Sequence, residues 1–362
     1  MNLSTGKYWD AGWNPIVGCR RISTGCDRCY ALANACRMAG NPNPKVADRY
    51  LDVLCGGNGE PDWNWEVRFS EDVLTSPLKR KKPTVYFNSM SDPFRQAVPD
   101  EWLDWMFAVM ALCSQHTFLL CTKRSERMRE YLSDTDRYLK IMKSLENGKI
   151  IWGSGLPDRT IARLWKSART KDIWPFPNVW LGVTAENQKR ANERIPVLLD
   201  TPAAVRFVSV EPMLGPVNLT RLPAEVAFGS KYRGIYTNAL VGGGRETSSP
   251  WKLNWVIVGG ETGPGARPMH PDWPRSLRDQ CVGAGVPFFF KQWGEWSPGE
   301  GPPNKTDYVP TDGYLLVGDP ALNVQPMVRV GRAKAGRILD GREWNEMPGK
   351  DKERSHGHER RF

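Results

Sequence analysis

The stretch NVWLGVTAEN, residues 178–187, decides the fold class of this chain. A short apolar run, rich in β-branched and aromatic residues, ends in the polar residues Thr184 and Glu186, and a charged helical pattern follows over 186–200. Continuous apolar runs of this length are typical of strands that are buried on both faces of a parallel sheet. The stretch therefore predicts a strand followed by a helix, which is the repeating unit of α/β proteins.

The same pattern recurs along the chain. Further apolar runs lie at 84–90, 117–123, 205–210, 255–260 and 286–291, with an earlier candidate at 13–18 and a weaker one at 65–69. Helical patterns lie at 30–40, 100–115, 125–134 and 271–285. This alternation predicts an α/β fold that forms a full or partial (β/α) barrel of mainly parallel strands. A doubly wound open sheet is the alternative, and it also gathers its strand ends at one site.

The pattern covers 1–350 and predicts a single barrel-like domain with insertions at about 40–64, 135–177 and 221–252. The charged tail at 351–362 is predicted to be disordered. The insertion at 135–177 carries many lysines and arginines with interleaved tryptophans. It is a candidate contact surface for a polyanion, and the alternative is a solvated charged face.

Composition narrows the class of protein. The 362 residues carry a net charge of +10, and this basic excess favours a nucleotide or nucleic acid partner. The chain has 16 tryptophans, several beside loop signals, which are either packing anchors or rings on which a base could stack. No apolar run approaches ~20 residues and the N-terminus lacks a secretory pattern, so we expect a cytoplasmic protein without a membrane span.

Three cysteines, Cys19, Cys26 and Cys29, follow the first candidate strand with the spacing Cys-x6-Cys-x2-Cys. In a reducing compartment, clustered cysteines favour metal binding over disulfides. Structural zinc requires a fourth protein ligand, for which the candidates are His270, Cys36 and Cys55. A [4Fe–4S] cluster held by three thiolates would instead leave one iron free for a substrate or cofactor. The spacing leaves both interpretations open.

Polar side chains follow six of the apolar runs. They include Asn88, Ser89, Asp92, Lys123, Thr184, Glu186, Glu211, Glu261, Lys291 and Gln292. Because barrel enzymes place their active sites at the carboxyl ends of the strands, we expect several of these side chains to line one site. Glu261, Lys291 and Gln292 are the candidates for catalysis.

Motifs over almost the whole chain resemble a phage-associated three-cysteine-motif protein family. They are WNPIVGCRRISTGCDRCYA, LLCTKRSERM, VWLGVTAEN, RFVSVEPMLGPV, WVIVGGETGPGARPM and FFFKQWG. That family is similar to divergent radical S-adenosylmethionine enzymes, whose usual spacing is Cys-x3-Cys-x2-Cys with an aromatic residue just before the last cysteine. Here the first gap has six residues, Arg28 is at the aromatic position, and Tyr30 follows Cys29.

The resemblance implies a radical-SAM-like barrel that binds a [4Fe–4S] cluster through Cys19, Cys26 and Cys29, together with S-adenosyl-L-methionine. It implies an enzyme that generates a 5′-deoxyadenosyl radical to modify or rearrange a nucleotide or nucleic-acid base, in phage DNA modification. An electron-donor protein is an expected partner, and a separately encoded protein partner is a further possibility. Carried over by position, the residues that bind S-adenosylmethionine are Tyr30, Asn88, Ser89, Asp92, Lys123, Thr184, Glu186 and Glu211.

Two other functions stay open. One is a radical DNA-repair lyase that acts on damaged bases. The other is a non-enzymatic zinc or iron–sulfur protein that binds nucleic acid. The metal bound to the cysteines separates this last function from the two enzymatic ones.

Overall fold

The computed structural model describes residues 6–56, 61–146, 166, 174–242, 251–299, 314–319 and 323–349. Contacts divide the chain into two units. Unit 1 contains Met1–Asn2, Lys7–Val183 and Asp200–Val205. Unit 2 contains Leu3–Gly6, Thr184–Leu199 and Arg206–Phe362. The single domain over 1–350 stays a prediction.

The main sheet has seven strands. They are Ala11–Gly12 (β1), Val85–Asn88 (β2), Thr117–Thr122 (β3), Val179–Thr184 (β4), Val205–Val210 (β5), Trp255–Gly259 (β6) and Phe288–Gln292 (β7). Their order in the sheet is the order in the chain, from β1 to β7, without the reversal of a doubly wound sheet. The α/β class with parallel strands is confirmed, and the order is consistent with a partial barrel.

Helices separate most of these strands. They are Tyr30–Ala39 (α1), Pro44–Leu51 (α2), Glu71–Leu74 (α3), Asp100–Leu112 (α4), Ser125–Leu132 (α5), Arg137–Glu146 (α6), Gln188–Asp200 (α7), Glu225–Phe228 (α8), Asp272–Ala284 (α9) and Arg332–Ala335 (α10). Short 3-10 turns lie at Thr24–Cys26, Ser76–Lys79 and Ser230–Tyr232. The predicted helices at 30–40, 100–115, 125–134, 186–200 and 271–285 are confirmed. The last of them ends where Gly285 adopts a left-handed φ of 64°.

Aromatic side chains fill the core of each unit. In unit 1, Phe118 of β3 packs between Tyr86 and Trp13, with ring centroids 5.3 and 5.0 Å away. In unit 2, Trp255 of β6 packs against Phe207 and Phe289 of the adjacent strands, at 6.0 and 6.1 Å. These apolar runs are buried on both faces, as the composition of the strands predicts.

The region before the cysteines differs from its prediction. The run at 13–18 is not a strand of the main sheet, because β1 ends at Gly12. Ile16–Val17 instead pairs antiparallel with Arg68–Phe69, which lies within the weaker candidate at 65–69. The chain after the cysteines therefore returns to pair with the chain just before them.

The insertion at 40–64 contains more regular structure than its glycines and prolines indicate. It includes α2, which begins where the Asn43 side chain accepts a hydrogen bond from Lys45 N and where Pro44 occupies the first helical position. Leu54–Cys55 pairs antiparallel with Asp62–Trp63. The insertion is therefore not irregular throughout, because the Asn43 cap and the first-turn proline start a helix within it.

The remaining small sheets are antiparallel. Leu222–Pro223 pairs with Tyr236–Thr237 inside the insertion at 221–252, and Ile338–Leu339 pairs with Arg342–Glu343. Asn323–Arg329 lies between Trp296–Pro298 and Tyr314–Asp319. Most of the insertion at 135–177 beyond α6, and the tail at 351–362, lie outside the described residues. No helix of the described residues is long and apolar enough to cross a membrane.

Candidate functional site

The cysteine loop, residues 18–29, begins at Gly18 in unit 1. Gly18 has a φ of 95°, and a Cβ atom there would overlap the carbonyl oxygen of Glu66, so only glycine fits this position. A 3-10 turn brings Cys26 N to 2.8 Å from Ser23 O and buries the Cys26 side chain. Cys29 is the N-cap residue of α1. One turn and one helix start therefore set the backbone of the last two cysteines.

Cys19 lies in an environment that favours its protonated form. Burial and the negative charge of Asp92 raise the pKa of the Cys19 thiol to about 11, and the nearby Arg124 acts in the opposite direction. Cys29 also interacts electrostatically with Cys19, so these two side chains lie close together. A metal ion would have to displace the proton, since the thiolate is the form that binds metals.

The donor chemistry of the cysteine loop fits a thiolate-bound metal centre. Cys19, Cys29 and Cys36 all pack against one apolar cluster, which contains Val17 and Ala35. Within the part of the chain that the structure describes, however, no group of three or more His, Cys, Asp or Glu side chains is arranged to hold a metal ion. Cys19, Cys26 and Cys29 therefore supply the donor type that such a centre needs, and their side chains would have to converge to bind it.

Asp92 connects the loop after β2 to the end of β3 and to the cysteine loop. Its carboxylate accepts hydrogen bonds from Thr122 Oγ1 at 2.6 Å and from the Lys123 backbone N at 3.2 Å. Arg124 Nη1 donates to Asp92 at 2.6 Å, and Arg124 Nη2 donates to the carbonyl oxygen of Arg20 at 3.0 Å. Asp92 is buried, so in this structure it positions the loops around the cysteines.

Asn14 holds the segment that follows β2. Its Oδ1 accepts hydrogen bonds from Ser89 N at 2.9 Å, from Met90 N at 2.8 Å and, more weakly, from Asn88 Nδ2 at 3.4 Å. Tyr30 Oη donates to the carbonyl oxygen of Ser89 at 2.6 Å and so ties this segment to the start of α1. Met90 packs against the same apolar cluster as the cysteines. The structure therefore brings Tyr30, Asn88 and Ser89 to the cysteine loop.

The Asn88 side chain is buried and only partly satisfied. It is 2% exposed, and its Oδ1 accepts no hydrogen bond from any described residue. Rotating the amide by 180° would place two carbonyl oxygens, those of Asn88 and Asn14, against each other. A buried acceptor without a donor is costly, and in native proteins it indicates a missing partner. To donate to this oxygen, a ligand would have to displace the side chains that cover it.

In unit 2, two further candidates from the sequence form an ion pair. Lys291 Nζ of β7 lies 3.0 Å from Glu211 Oε1, which follows β5, and Ser209 Oγ donates to Glu211 Oε2 at 3.1 Å. Gly259, at the end of β6, lies directly beside this carboxylate, since a Cβ there would be 2.9 Å from Oε1. Both charged side chains are partly exposed and can reach a ligand.

The other acidic candidates of unit 2 are saturated by arginines. Glu186 is fully buried and pairs with Arg194 at 2.9 Å, and the same arginine donates to the Thr184 carbonyl oxygen at 2.7 Å. Glu261 accepts hydrogen bonds from Arg267 Nη2 at 2.6 Å, from Nε at 2.9 Å and from the backbone N at 2.8 Å. In this arrangement both carboxylates stabilise the ends of strands and leave little acceptor capacity for a ligand.

Gln292 is half-buried at the end of β7, and its backbone carbonyl oxygen accepts a hydrogen bond from Gly260 N at 2.9 Å.

Three residues that contribute to these networks were not among the candidates from the sequence: Asn14, Arg194 and Arg267. The sequence does offer a signal for Asn14, because this polar residue lies between Trp13 and Pro15, just before the apolar pair Ile16 and Val17. Arg194 follows Glu186 by eight residues, and Arg267 follows Glu261 by six. Charged side chains are usually solvated, so the sequence does not indicate these two pairs.

Comparison with known proteins places the chain in a family. No curated protein and no solved structure matches it significantly. One family matches over residues 4–348, which is nearly the whole chain. The chain therefore belongs to the family described as "Protein of unknown function (DUF5131)".

Proposed function

We propose that this chain is a phage-associated three-cysteine-motif protein with the chemistry of a radical S-adenosylmethionine enzyme, acting on a nucleotide or a nucleic-acid base. The observation that carries the proposal is the buried acceptor Asn88 Oδ1, whose neighbour Ser89 is hydrogen-bonded to Tyr30 directly after the cysteine loop. In the superfamily that the sequence resembles, a polar segment after an early strand binds the amino group of S-adenosylmethionine. That ammonium group would supply the donor that Asn88 Oδ1 lacks among the described residues.

Cys19, Cys26 and Cys29 would hold a [4Fe–4S] cluster, which when bound supplies the electron for reductive cleavage of S-adenosylmethionine. The residues of the chain orient the ligands. Tyr30 fixes the Ser89 carbonyl, and the ion pair of Asp92 with Arg124 fixes the backbone beside Cys19. Because these contacts link the cysteine loop to the ends of β2 and β3, they pre-organise the site.

In unit 2, Glu211 and Lys291 are the candidates for contact with the cofactor or substrate, since their side chains are partly exposed. The proposal includes a partial barrel of the radical-SAM type, a cytoplasmic location, an electron-donor protein and a possible separately encoded protein partner. The seven parallel strands in chain order support the barrel.

The test is anaerobic reconstitution of the full chain with iron and sulfide, followed by an assay for 5′-deoxyadenosine in the presence of S-adenosylmethionine and a reductant. We expect iron and sulfide to bind, and we expect 5′-deoxyadenosine to form without any added substrate. Cys26→Ala should abolish both iron binding and product formation. Cys113→Ala and Cys281→Ala, which remove buried cysteines outside the loop, should retain both.

Three results would contradict the proposal. The first is unchanged iron content in Cys26→Ala. The second is a requirement for Cys36, which would supply a fourth thiolate and close the free coordination position. The third is a colourless protein with one tightly bound zinc, which would indicate the non-enzymatic function.

A further inference from the structure

Trp65 presents its indole ring to solvent from a strained backbone. The residue is 61% exposed and has a φ of 74°. Bulky side chains rarely occupy the left-handed region, where glycine and asparagine are favoured. Strain of this kind persists only where surrounding contacts impose it, and it concentrates at functional sites. Trp65 is therefore a candidate for a role that needs the ring itself.

Buried contacts impose this conformation. Arg95, which is 5% exposed, donates from Nη2 to the Trp65 carbonyl oxygen at 2.8 Å and from Nη1 to the Glu66 carbonyl oxygen at 3.1 Å. The Asn64 side chain accepts from Glu66 N at 3.0 Å, and Gly18 of the cysteine loop packs closely against Glu66. All these contacts hold the backbone of the turn, and they leave the indole pointing outward.

A guanidinium group lies over one face of the exposed indole. Arg20 Cζ is 4.2 Å from the ring centroid of Trp65, and Arg20 directly follows Cys19. The pair thus forms a layered aromatic and cationic surface at the edge of the cysteine loop. The second indole face is available to a planar ligand, because most of the residue is exposed.

We infer that Trp65 and Arg20 form a stacking platform for a nucleobase, from either a single-stranded nucleic acid or a free nucleotide. Bases stack on indole rings and on guanidinium planes, and the positive charge of Arg20 attracts the accompanying phosphate. The positive charge of Arg20 repels cationic ligands, and an aliphatic ligand gains no favourable interaction from this charge. The inference of stacking depends on these contacts alone. The assignment of the stacked base as the substrate rests on the proposed function.

The experiment measures binding of fluorescently labelled single-stranded DNA and RNA to the full chain by anisotropy, with mononucleotides as competitors. Trp65→Asn keeps a residue that tolerates the left-handed backbone but removes the ring, and Trp65→Phe keeps a ring. Arg20→Ala removes the guanidinium. Trp251→Ala removes another exposed tryptophan, in unit 2, as the matched control.

We expect Trp65→Asn to weaken binding by roughly 5- to 150-fold, the fold-change that corresponds to one stacked base at about 1–3 kcal/mol. Its melting temperature should equal or exceed that of the wild type, because asparagine relieves the backbone strain. Trp65→Phe should retain most of the affinity, Arg20→Ala should lose part of it, and Trp251→Ala should bind normally. Competition by mononucleotides would identify a free nucleotide as the source of the base; its absence would identify the polymer.

Two results would overturn the inference: Trp65→Asn binding as tightly as the wild type, or a wild type that binds neither oligonucleotides nor mononucleotides. Binding is measured on both the iron-free and the reconstituted protein, so that failure of the stacking platform can be distinguished from failure of the proposed chemistry. Binding that depends on Trp65 without formation of 5′-deoxyadenosine would support the platform and reject the enzyme. The reverse combination would reject the platform alone.

Discussion

At the scale of single residues, two buried side chains of unit 1 each have an atom without a hydrogen-bond partner among the described residues. They are Asn88, at Oδ1, and His116, at Nδ1. The consequences differ. The Asn88 oxygen belongs to the end of β2, and the next residue, Ser89, is hydrogen-bonded to Tyr30 directly after the cysteine loop. His116 Nε2 lies 3.2 Å from the Pro77 carbonyl oxygen, so this nitrogen carries the proton of the neutral ring.

We predict that Asn88→Leu separates stability from ligand binding. Leucine removes an acceptor that has no donor among the described residues, so the free energy of unfolding should change by less than about 1 kcal/mol. Binding of S-adenosylmethionine, measured by calorimetry, should be lost. Asn178→Leu is the matched control, since Asn178 Nδ2 donates to the Met110 and Cys113 carbonyl oxygens. That change should cost about 1–3 kcal/mol and leave binding intact.

Destabilisation of Asn88→Leu by as much as the control variant would show that Asn88 is structural. Unchanged binding of S-adenosylmethionine would show that Asn88 Oδ1 is not its acceptor.

We predict that His116 makes the stability depend on pH below neutrality. Burial disfavours the charged ring and so lowers the pKa of His116, against the opposing effect of backbone hydrogen bonds at Pro77 and Arg80. The unfolded chain therefore binds that proton more readily. The stabilising contribution is complete above the unfolded pKa of about 6.5 and is lost as the pH falls below it, by at most about 1.4 kcal/mol per pH unit.

Urea denaturation at pH 7.5 and 5.5 measures this loss, with the pH values chosen to bracket about 6.5. His116→Phe keeps the aromatic contacts with Tyr86 and Phe118 but cannot titrate. Its stability should vary less with pH than that of the wild type. Equal pH dependence in the two proteins would contradict the assignment.

At the scale of elements, the ends of β5, β6 and β7 in unit 2 depend on one another. The ion pair of Glu211 with Lys291 joins the residue after β5 to a residue of β7, and it passes Gly259 at the end of β6. No side chain larger than that of glycine fits between them without displacing the Glu211 carboxylate. The site therefore needs residues from the ends of all three strands.

We predict that Gly259→Ala moves the Glu211 carboxylate away from Lys291. A Cβ atom would lie 2.9 Å from Oε1, and the end of a flexible side chain can shift, so the loss of stability should stay below about 1 kcal/mol. Formation of 5′-deoxyadenosine should fall by about tenfold or more, as expected when a site group is misplaced. Gly283→Ala, where the new methyl group meets nothing within 4 Å in α9, should stabilise the protein by up to about 1 kcal/mol.

Full activity of Gly259→Ala would show that the position of Glu211 does not matter for the reaction. Severe destabilisation would show that the pair is structural.

At the scale of the whole molecule, charge is the property that most bears on function. The net charge of +10 attracts polyanions, and counterion release makes such binding steeply dependent on salt. Some of the cations are neutralised locally: Lys140 of α6 pairs with Asp134, and Arg137 pairs with Asp100 and Asp104.

We predict that affinity for single-stranded nucleic acid falls with salt, with a log–log slope of about −0.7 for each phosphate contact. Replacing Arg163, Lys166 and Arg169 with alanine, in the basic insertion, should flatten the slope by about two units on the same rule. Lys140→Ala, which removes an already paired cation, should leave the slope unchanged. Anisotropy titrations over a range of salt concentrations measure it, and an unchanged slope in the triple variant would place the contacts elsewhere.

The local sequence determined most of the strands and helices of this protein. The apolar run at 205–210 is β5 in full, and the pattern at 271–285 differs from α9 by one residue at each end. A continuous apolar run and a glycine that ends a helix are features of adjacent residues, so they can be recognised without knowledge of the fold. The three cysteines were evident in the same way.

Only the tertiary structure decided how the site is built. Among the residues that the structure describes, Asn88 Oδ1 has no donor, because Asn14, 74 residues away, binds the backbone after it and offers none. Trp65 is held outward by Arg95, 30 residues away. Glu186 and Glu261, candidates by position, are occupied by arginines of the next helix and loop. Hydrogen bonds and ion pairs depend on distances of about 3 Å between groups that only folding brings together, and sequence spacing does not encode them.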